Sequence, residues 1–326
     1  MTENECFSKM VAPGQFRPGK MGNLGGVIQI HVTRACDNSC FNCTQGSNLG
    51  GKNTYISLEN FEKAVASLKG YFGVLGVFGG NPAMHPKFGS LCNILQHSGF
   101  PKERTGLWCN NPLTPENAIM MKQTFNPAVS NLNVHLDHKA YKMFKDFWRE
   151  CNPVGLTTDS RHSPCYVAMK DVGVEESKRW ELISNCDINQ HWSAMIAEFR
   201  GELRAWFCEI AGAQSILHQF EPDYPDTGVD PTVKHQLTHT GDGLQWWECG
   251  MHYFANQVRK HCHECGVPLR GHGELAQAEE GIEQCSETHK SVYKPKRVRT
   301  VEYVTELVQL GTPLQRTTAY LQNAKV

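Results

Sequence analysis

Gly26-Val-Ile-Gln-Ile-His-Val32 leads through Thr33-Arg-Ala35 into Cys36-Asp-Asn-Ser-Cys40-Phe-Asn-Cys43. The first stretch reads as a buried strand. The second puts three thiolates on one short loop, at Cys-x₃-Cys-x₂-Cys spacing. Three thiolates hold three irons of a [4Fe–4S] cluster and leave the fourth iron without a protein ligand. Electron-transfer clusters normally use four cysteines, so an open iron is a place for a substrate or cofactor to bind.

Outward from this strand, strand and helix patterns alternate. Residues 57–71 carry Ser57 as an N-cap and apolar Leu58, Phe61, Val65 and Leu68 at helical spacing. The pattern predicts strands over 73–78, 104–109, 129–137 and 165–171, and helices over 86–98 and 139–150. Another helix starts at Thr114-Pro115, with proline at its first position. Strands separated by helices imply a parallel α/β sheet with right-handed crossovers. Reactive groups then gather at the C-terminal ends of the strands. In Asn131-Leu-Asn133-Val-His135-Leu-Asp137 one face is polar, although a parallel strand buried on both sides is apolar throughout. Asn133, His135 and Asp137 are therefore candidates for ligand binding, with His135 and Asp137 also candidates for catalysis; a solvated edge strand is the alternative. Lys170 is a further candidate, sharing a strand face with Tyr166.

The 326-residue length suggests one large and one small domain. With 40% hydrophobic and 20% charged residues the chain has an ordinary globular composition. A net charge of −1 gives no global field toward nucleic acid or an anionic membrane. No apolar run reaches the length of a membrane span, and Met-Thr-Glu-Asn-Glu-Cys at the start is unlike a signal peptide. A cytoplasmic location is expected. There, 14 cysteines favour metal binding over disulfides.

Downstream of the cysteine loop stand Val77-Phe78-Gly79-Gly80-Asn81-Pro82 and Met84-His85-Pro86. Strand, three-cysteine loop with the aromatic Phe41 after its second cysteine, and a Gly-Gly segment ending the next strand together resemble the radical S-adenosylmethionine (SAM) superfamily. The resemblance spans residues 26–171. It implies a partial (β/α)₆ barrel and a SAM site including Phe41, Gly79, Gly80, Asn81, Asn110 and Asn133. Asn81 departs from the pattern, standing where the superfamily usually has Glu; it still accepts a hydrogen bond but carries no charge.

From residue 172 the pattern changes. A helix over 175–184 leads to Cys186. Arg200-Gly201 between two apolar-rich runs reads as a hairpin turn, Cys208 follows it, and a helix begins at Glu209. Cys262-His-Glu-Cys265-Gly266 is a metal knuckle, whose turn aims two thiolates at one site. This order resembles the twitch domain of SPASM/twitch radical SAM enzymes, a small α+β unit holding an auxiliary [4Fe–4S] cluster. By that resemblance the ligands are Cys186, Cys208, Cys262 and Cys265, with Cys249 and Cys285 as substitutes. Zinc is the rival, because four thiolates also hold Zn²⁺. The implied organisation is an N-terminal extension (1–25), a radical SAM barrel (26–175), a twitch/SPASM-like domain (176–290) and a C-terminal helical extension (291–326).

Cys6, Cys92, Cys109, Cys151 and Cys165 read as small buried apolar residues. His261, His263 and His272 read as polar neighbours of the knuckle. Residues 221–243 read as a loop or lid, and Lys290 to Arg299 as a solvated basic run.

The resemblance implies reductive cleavage of SAM to methionine and a 5′-deoxyadenosyl radical, which takes hydrogen from an unactivated C–H bond. The implied partners are a small-molecule or peptide substrate and a one-electron reductant such as flavodoxin or ferredoxin. Net oxidation assisted by the auxiliary cluster is the first reading. Isomerisation, or modification of a nucleotide or nucleic acid, is the second. A non-catalytic metal-binding interaction module is the third.

Overall fold

The computed structural model describes residues 1–15, 26–37, 43–47, 49, 52–132, 165–191, 193–237, 243–269, 283–292 and 298–300. Cys40, Phe41, Asn133, His135, Asp137, Cys151 and His272 lie outside these residues. So do the helices expected over 139–150 and beyond 301, and residues 294–297 of the basic run.

Strand β1 (Val27–Thr33) sits inside a six-stranded sheet of order β4-β3-β2-β1-β5-β6. On one side lie β2 (Val74–Gly79), β3 (Thr105–Cys109) and β4 (Asn131–Leu132). On the other lie β5 (Ser193–Phe199) and β6 (Glu202–Trp206). All pairings are parallel except β5 with β6. A short helix α1 (Glu3–Phe7) precedes the sheet. Helices α2 (Leu58–Ser67), α3 (Phe88–His97) and α4 (Pro115–Thr124) alternate with the first four strands, which is the expected α/β arrangement. The α2 cap is the one its sequence announces: the Ser57 hydroxyl accepts from Asn60 N–H at 3.2 Å.

The two faces of β1 have different company. Ile28, Ile30 and Val32 join Leu75, Val77 and Leu107 in the main core, against Phe61 and Val65 of α2 and Leu91 and Leu95 of α3. On the opposite face Val27, Val74 and Trp108 form a separate small cluster. Gly76 and Gly106 face each other in register there. A Cβ on either would come within 2.6 and 2.9 Å of the Trp108 ring, so the glycines make room for the indole. Alternation puts Gln29 and His31 on the same face as Val27; both are buried.

Helix α5 (Glu176–Ser184) leads through α6 (Asp187–His191) into β5. The β5–β6 hairpin turns at Arg200 and Gly201, with φ of 52° and 85°, the two positive values that suit the right-handed twist of paired strands. The Arg200 guanidinium holds this turn by donating to the Gln219 and Tyr224 carbonyls at 2.9 and 3.1 Å. The hairpin does not stand apart: β5 runs parallel beside β1, so the sheet crosses the boundary expected at residue 175. Helix α7 (Glu209–His218) follows β6.

The strand expected over 165–171 is not one. Cys165 to Met169 are fully buried, as their apolar character requires, but the chain turns on itself. Val172 and Val174 N–H donate to the Ala168 and Met169 carbonyls at 3.3 and 3.1 Å. Such local bonds satisfy a buried backbone as well as a ladder does. Residues 221–237 are mostly loop, as expected, although Val229 bridges Ala205 and covers the edge of β6. Among the described residues no helix is long and apolar enough to cross a membrane.

Candidate functional site

The cysteine loop leaves the C-terminal end of β1. Backbone bonds lace its start to the Gly-Gly segment ending β2: Gly80 N–H donates to Thr33 C=O and Asn81 N–H to Ala35 C=O, both at 2.7 Å. The approach is tight. A Cβ at Gly79 would lie 2.3 Å from the Thr33 carbonyl oxygen, and one at Gly80 2.3 Å from that of Ala35. The small residues here are thus required by the protein's own loop. The far side of the loop is tied by buried Arg34, whose guanidinium donates to the Gly46, Leu49 and Lys52 carbonyls at 2.7, 3.1 and 3.3 Å. Burial lowers the Arg34 pKa, and the neighbouring Tyr166 and Cys43 oppose that shift.

Next to Cys36, one carboxylate gathers three amides. Asp37 Oδ1 accepts from Asn81 Nδ2 at 2.9 Å and Asn110 Nδ2 at 3.1 Å, while Oδ2 accepts from Asn111 Nδ2 at 3.1 Å. Asn110 Nδ2 also reaches Cys36 Sγ at 3.9 Å. This gives the uncharged side chain at position 81 a physical reason. Its amide donates to a carboxylate, where Glu would repel one. Asn81 is fully buried and saturated: Nδ2 also donates to Asn111 C=O, and Oδ1 accepts from Ala83 N–H and Cys109 Sγ. Asn110 Oδ1, by contrast, is buried without a hydrogen-bond partner among the described residues. The ends of β1, β2 and β3 thus converge, as parallel strands in α/β sheets do at their carboxyl edge.

The four cysteines of the C-terminal half also come together. Cys186, Cys208, Cys262 and Cys265 line one cavity, whose other walls include Met10, Ile183, Phe207 and Val267. Cys208 caps α7 and Cys186 follows α5. The knuckle turns through a Cys265 N–H to Cys262 C=O bond at 3.4 Å, and Val267 N–H donates to Cys265 Sγ at 3.4 Å. The thiols of Cys208 and Cys262 are pushed well above the usual range, by burial first and then by the neighbouring cysteines. Neither Cys249 nor Cys285 lines the cavity. Among the described residues, no group of three or more His, Cys, Asp or Glu is placed to hold a single metal ion.

The two places lie at opposite ends of the sheet. Cys36 stands where β1 finishes. β6 runs back antiparallel to β5, pairing Trp206 with Met195, so Cys208 emerges where β1 and β5 begin. Between them, on β1, Gln29 Oε1 and His31 Nε2 are buried without partners among the described residues. Burial lowers the His31 pKa to about 3, which keeps the imidazole neutral. Glu209, beside Cys208, is buried too; Ser193 Oγ donates to it at 2.9 Å, and burial raises its pKa to about 7.

Lys170 is not at a strand end. Its Nζ pairs with Glu264 at 2.8 Å, and its N–H donates to His263 C=O, which ties residues 165–174 to the knuckle. His261 lines the cavity and is held by Thr227 Oγ1 at 2.8 Å and Gln214 Oε1 at 3.2 Å. His263 accepts from Arg179 Nε at 2.9 Å. Sequence reasoning missed Asp37, Asn111 and Met10. Asp37 lies inside the motif and Asn111 beside a named residue, so both had a signal; Met10 had none, being brought to the cavity only by folding.

No protein-family model matches this chain. No curated protein matches it. Among solved structures the chain is similar to BtrN, determined in complex with AdoMet and 2-DOIA, with a TM-score of 0.40 and 12% identity over 61% of this chain and 82% of that one. At that score the likeness carries no argument about function.

Proposed function

We propose that this chain is a radical SAM enzyme. Cys36, Cys40 and Cys43 would hold a site-differentiated [4Fe–4S] cluster within a partial (β/α)₆ barrel, and SAM would bind its open iron. When bound, that pair supplies a radical able to take hydrogen from an unactivated C–H bond of a small-molecule or peptide substrate. The observation that carries this is the seam at the sheet's carboxyl edge. The cysteine loop is hydrogen-bonded to the Gly79-Gly80-Asn81 segment and framed by Asn110, beside Cys36 and its buried acceptor without a donor. The residues present suit a cluster and its ligand at an open strand end.

Cys186, Cys208, Cys262 and Cys265 are proposed to hold a second [4Fe–4S] cluster in a twitch-like region. A single tetrahedral zinc, about 2.3 Å from each sulfur, needs sulfurs within about 4 Å of one another. The four thiols line one cavity, and four thiolates suit a [4Fe–4S] cluster as well as a zinc ion. As an electron acceptor the second cluster would make net oxidation the preferred outcome, with flavodoxin or ferredoxin as external reductant.

The test is anaerobic reconstitution with iron and sulfide, followed by dithionite and SAM. 5′-Deoxyadenosine should form with the wild type and not with Cys36→Ala. Equal formation by both proteins sinks the proposal. A spectrum without iron–sulfur absorption would instead favour the metal-binding module.

A further inference from the structure

After Cys43 the chain makes two tight turns in succession. Gly46 N–H donates to Cys43 C=O at 3.0 Å, and Leu49 N–H donates to Gly46 C=O at 3.1 Å. Gly46 has a φ of 59°, in the left-handed region that favours glycine. Three carbonyls spaced three residues apart, on Gly46, Leu49 and Lys52, thereby meet one group, the Arg34 guanidinium. Arg34 precedes Cys36 and Gly46 follows Cys43, so this guanidinium closes a ring around the segment that carries the three cysteines. The return is tied a second time where Arg34 N–H donates to Thr54 C=O at 3.1 Å. Arginine suits the task because its planar fork presents five donors, whereas lysine offers a point charge. Arg34 is 3% exposed, and burying a cation is costly. The three carbonyls are neutral: they satisfy its hydrogen bonds and leave its charge in place. Burial works against that charge, and the neighbouring Tyr166 and Cys43 work for it.

Resting on the proposed function above, we infer that Arg34 is a positioning residue of the first site with two effects. It holds the cysteine segment folded back before any metal is bound, and it keeps a fixed positive charge beside Cys43. The first effect removes chain entropy in advance: thiols on a free segment have to be gathered by the incoming iron, and those on a closed segment do not. The second effect acts on reduction. Net charge is among the quantities that set the potential of an iron–sulfur centre. A nearby cation favours the more negative, reduced form and so raises the potential.

Two variants separate the effects. Arg34→Gln removes both fork and charge; Arg34→Lys keeps the charge and removes the fork. The first measurement uses the metal-free full chain and follows, by mass spectrometry, trypsin cleavage after Lys52, whose carbonyl Arg34 holds. Cleavage tracks the population of the opened segment. Both variants should be cut there about 10- to 100-fold faster than the wild type, the worth of a hydrogen bond to a charged group. Cleavage after Lys63, on α2, should keep its wild-type rate. The second measurement is a dye-mediated reductive titration of the reconstituted chain without SAM, read on the EPR signal that Cys36→Ala lacks. Arg34→Gln should titrate at lower potential, about tenfold in the oxidised-to-reduced ratio, which is about 59 mV for one electron. Arg34→Lys should titrate with the wild type, and it carries this arm if Arg34→Gln takes up no cluster. The inference is overturned by wild-type cleavage after Lys52 in Arg34→Gln, by equal acceleration after Lys63, or by a potential unchanged in Arg34→Gln or lowered in Arg34→Lys. A wild type without the EPR signal defeats the parent reading instead, and the cleavage measurement still decides whether Arg34 closes the segment.

Discussion

The two cysteine groups of this molecule are built in opposite ways. The first is local: Cys36, Cys40 and Cys43 fall within eight residues of sequence, and Cys36 stands at the carboxyl end of β1 beside Asp37 and Asn110. The second is assembled from Cys186, Cys208, Cys262 and Cys265, lines a cavity with apolar walls, and is surrounded by helices and turns. On the proposed function, a site that must admit a polar ligand keeps polar neighbours and exposure, and one that is only to be filled and sheltered is built as core. The β1 strand separates them, and its seven residues span about 23 Å at the usual rise.

The comparison breaks most simply through the cysteines. Cys36→Ala should reduce 5′-deoxyadenosine formation to background and leave the second site loaded. The Cys36/Cys40/Cys43 triple Ala variant should keep about four iron and four sulfide per chain, as one four-cysteine cluster requires. About one zinc and no iron would make the second site a structural zinc site.

Gly80→Val is the next largest effect. With an added Cβ 2.3 Å from the Ala35 carbonyl, the loop must move off β2. Overpacking of this kind costs about 1–3 kcal/mol or more. Urea unfolding should show the loss, and SAM binding should fall with it. Wild-type stability together with lost SAM binding would mean that the glycine serves the ligand alone.

Glu209 separates the sites by their response to pH. Burial raises its folded pKa to about 7 from an ordinary 4.5. Between those values the folded chain keeps a proton that the unfolded chain has released. Its contribution to stability is therefore full below about pH 4.5 and is lost as pH rises to about 7, by about 1.4 kcal/mol per pH unit. Glu209→Gln should flatten that slope in urea titrations of the metal-free protein. An unchanged slope would show Glu209 ionised within the fold.

The smallest effect concerns the N-terminal segment that walls the cavity. Asn189 both donates to Val11 C=O and accepts from Val11 N–H, each at 3.0 Å, and Met10 beside it lines the cavity. Asn189→Ala should cost about 1–3 kcal/mol through the unpaired backbone groups. Iron should then leave the second site faster than the first under a chelator. Equal rates at the two sites would show that residues 1–15 do not shelter it.

Much of this was legible in the chain. The strand before Cys36, the Ser57 cap, Pro115, the Arg200-Gly201 turn and the Cys262–Cys265 knuckle are short-range features. Each depends on residues within a few positions of one another, where backbone preference and side-chain reach decide the outcome. The run at 165–171 shows the limit: its apolar residues announced burial correctly, but burial does not choose between a ladder and successive turns, and bonds from Ser286 hold it as turns. Only the tertiary structure set β5 beside β1, turned Asp37 toward three asparagines from two other strand ends, and brought Met10 to a cavity whose cysteines come from the other half of the chain. Those contacts join residues tens to hundreds of positions apart. They are chosen by which faces pack together, and no local pattern encodes that choice.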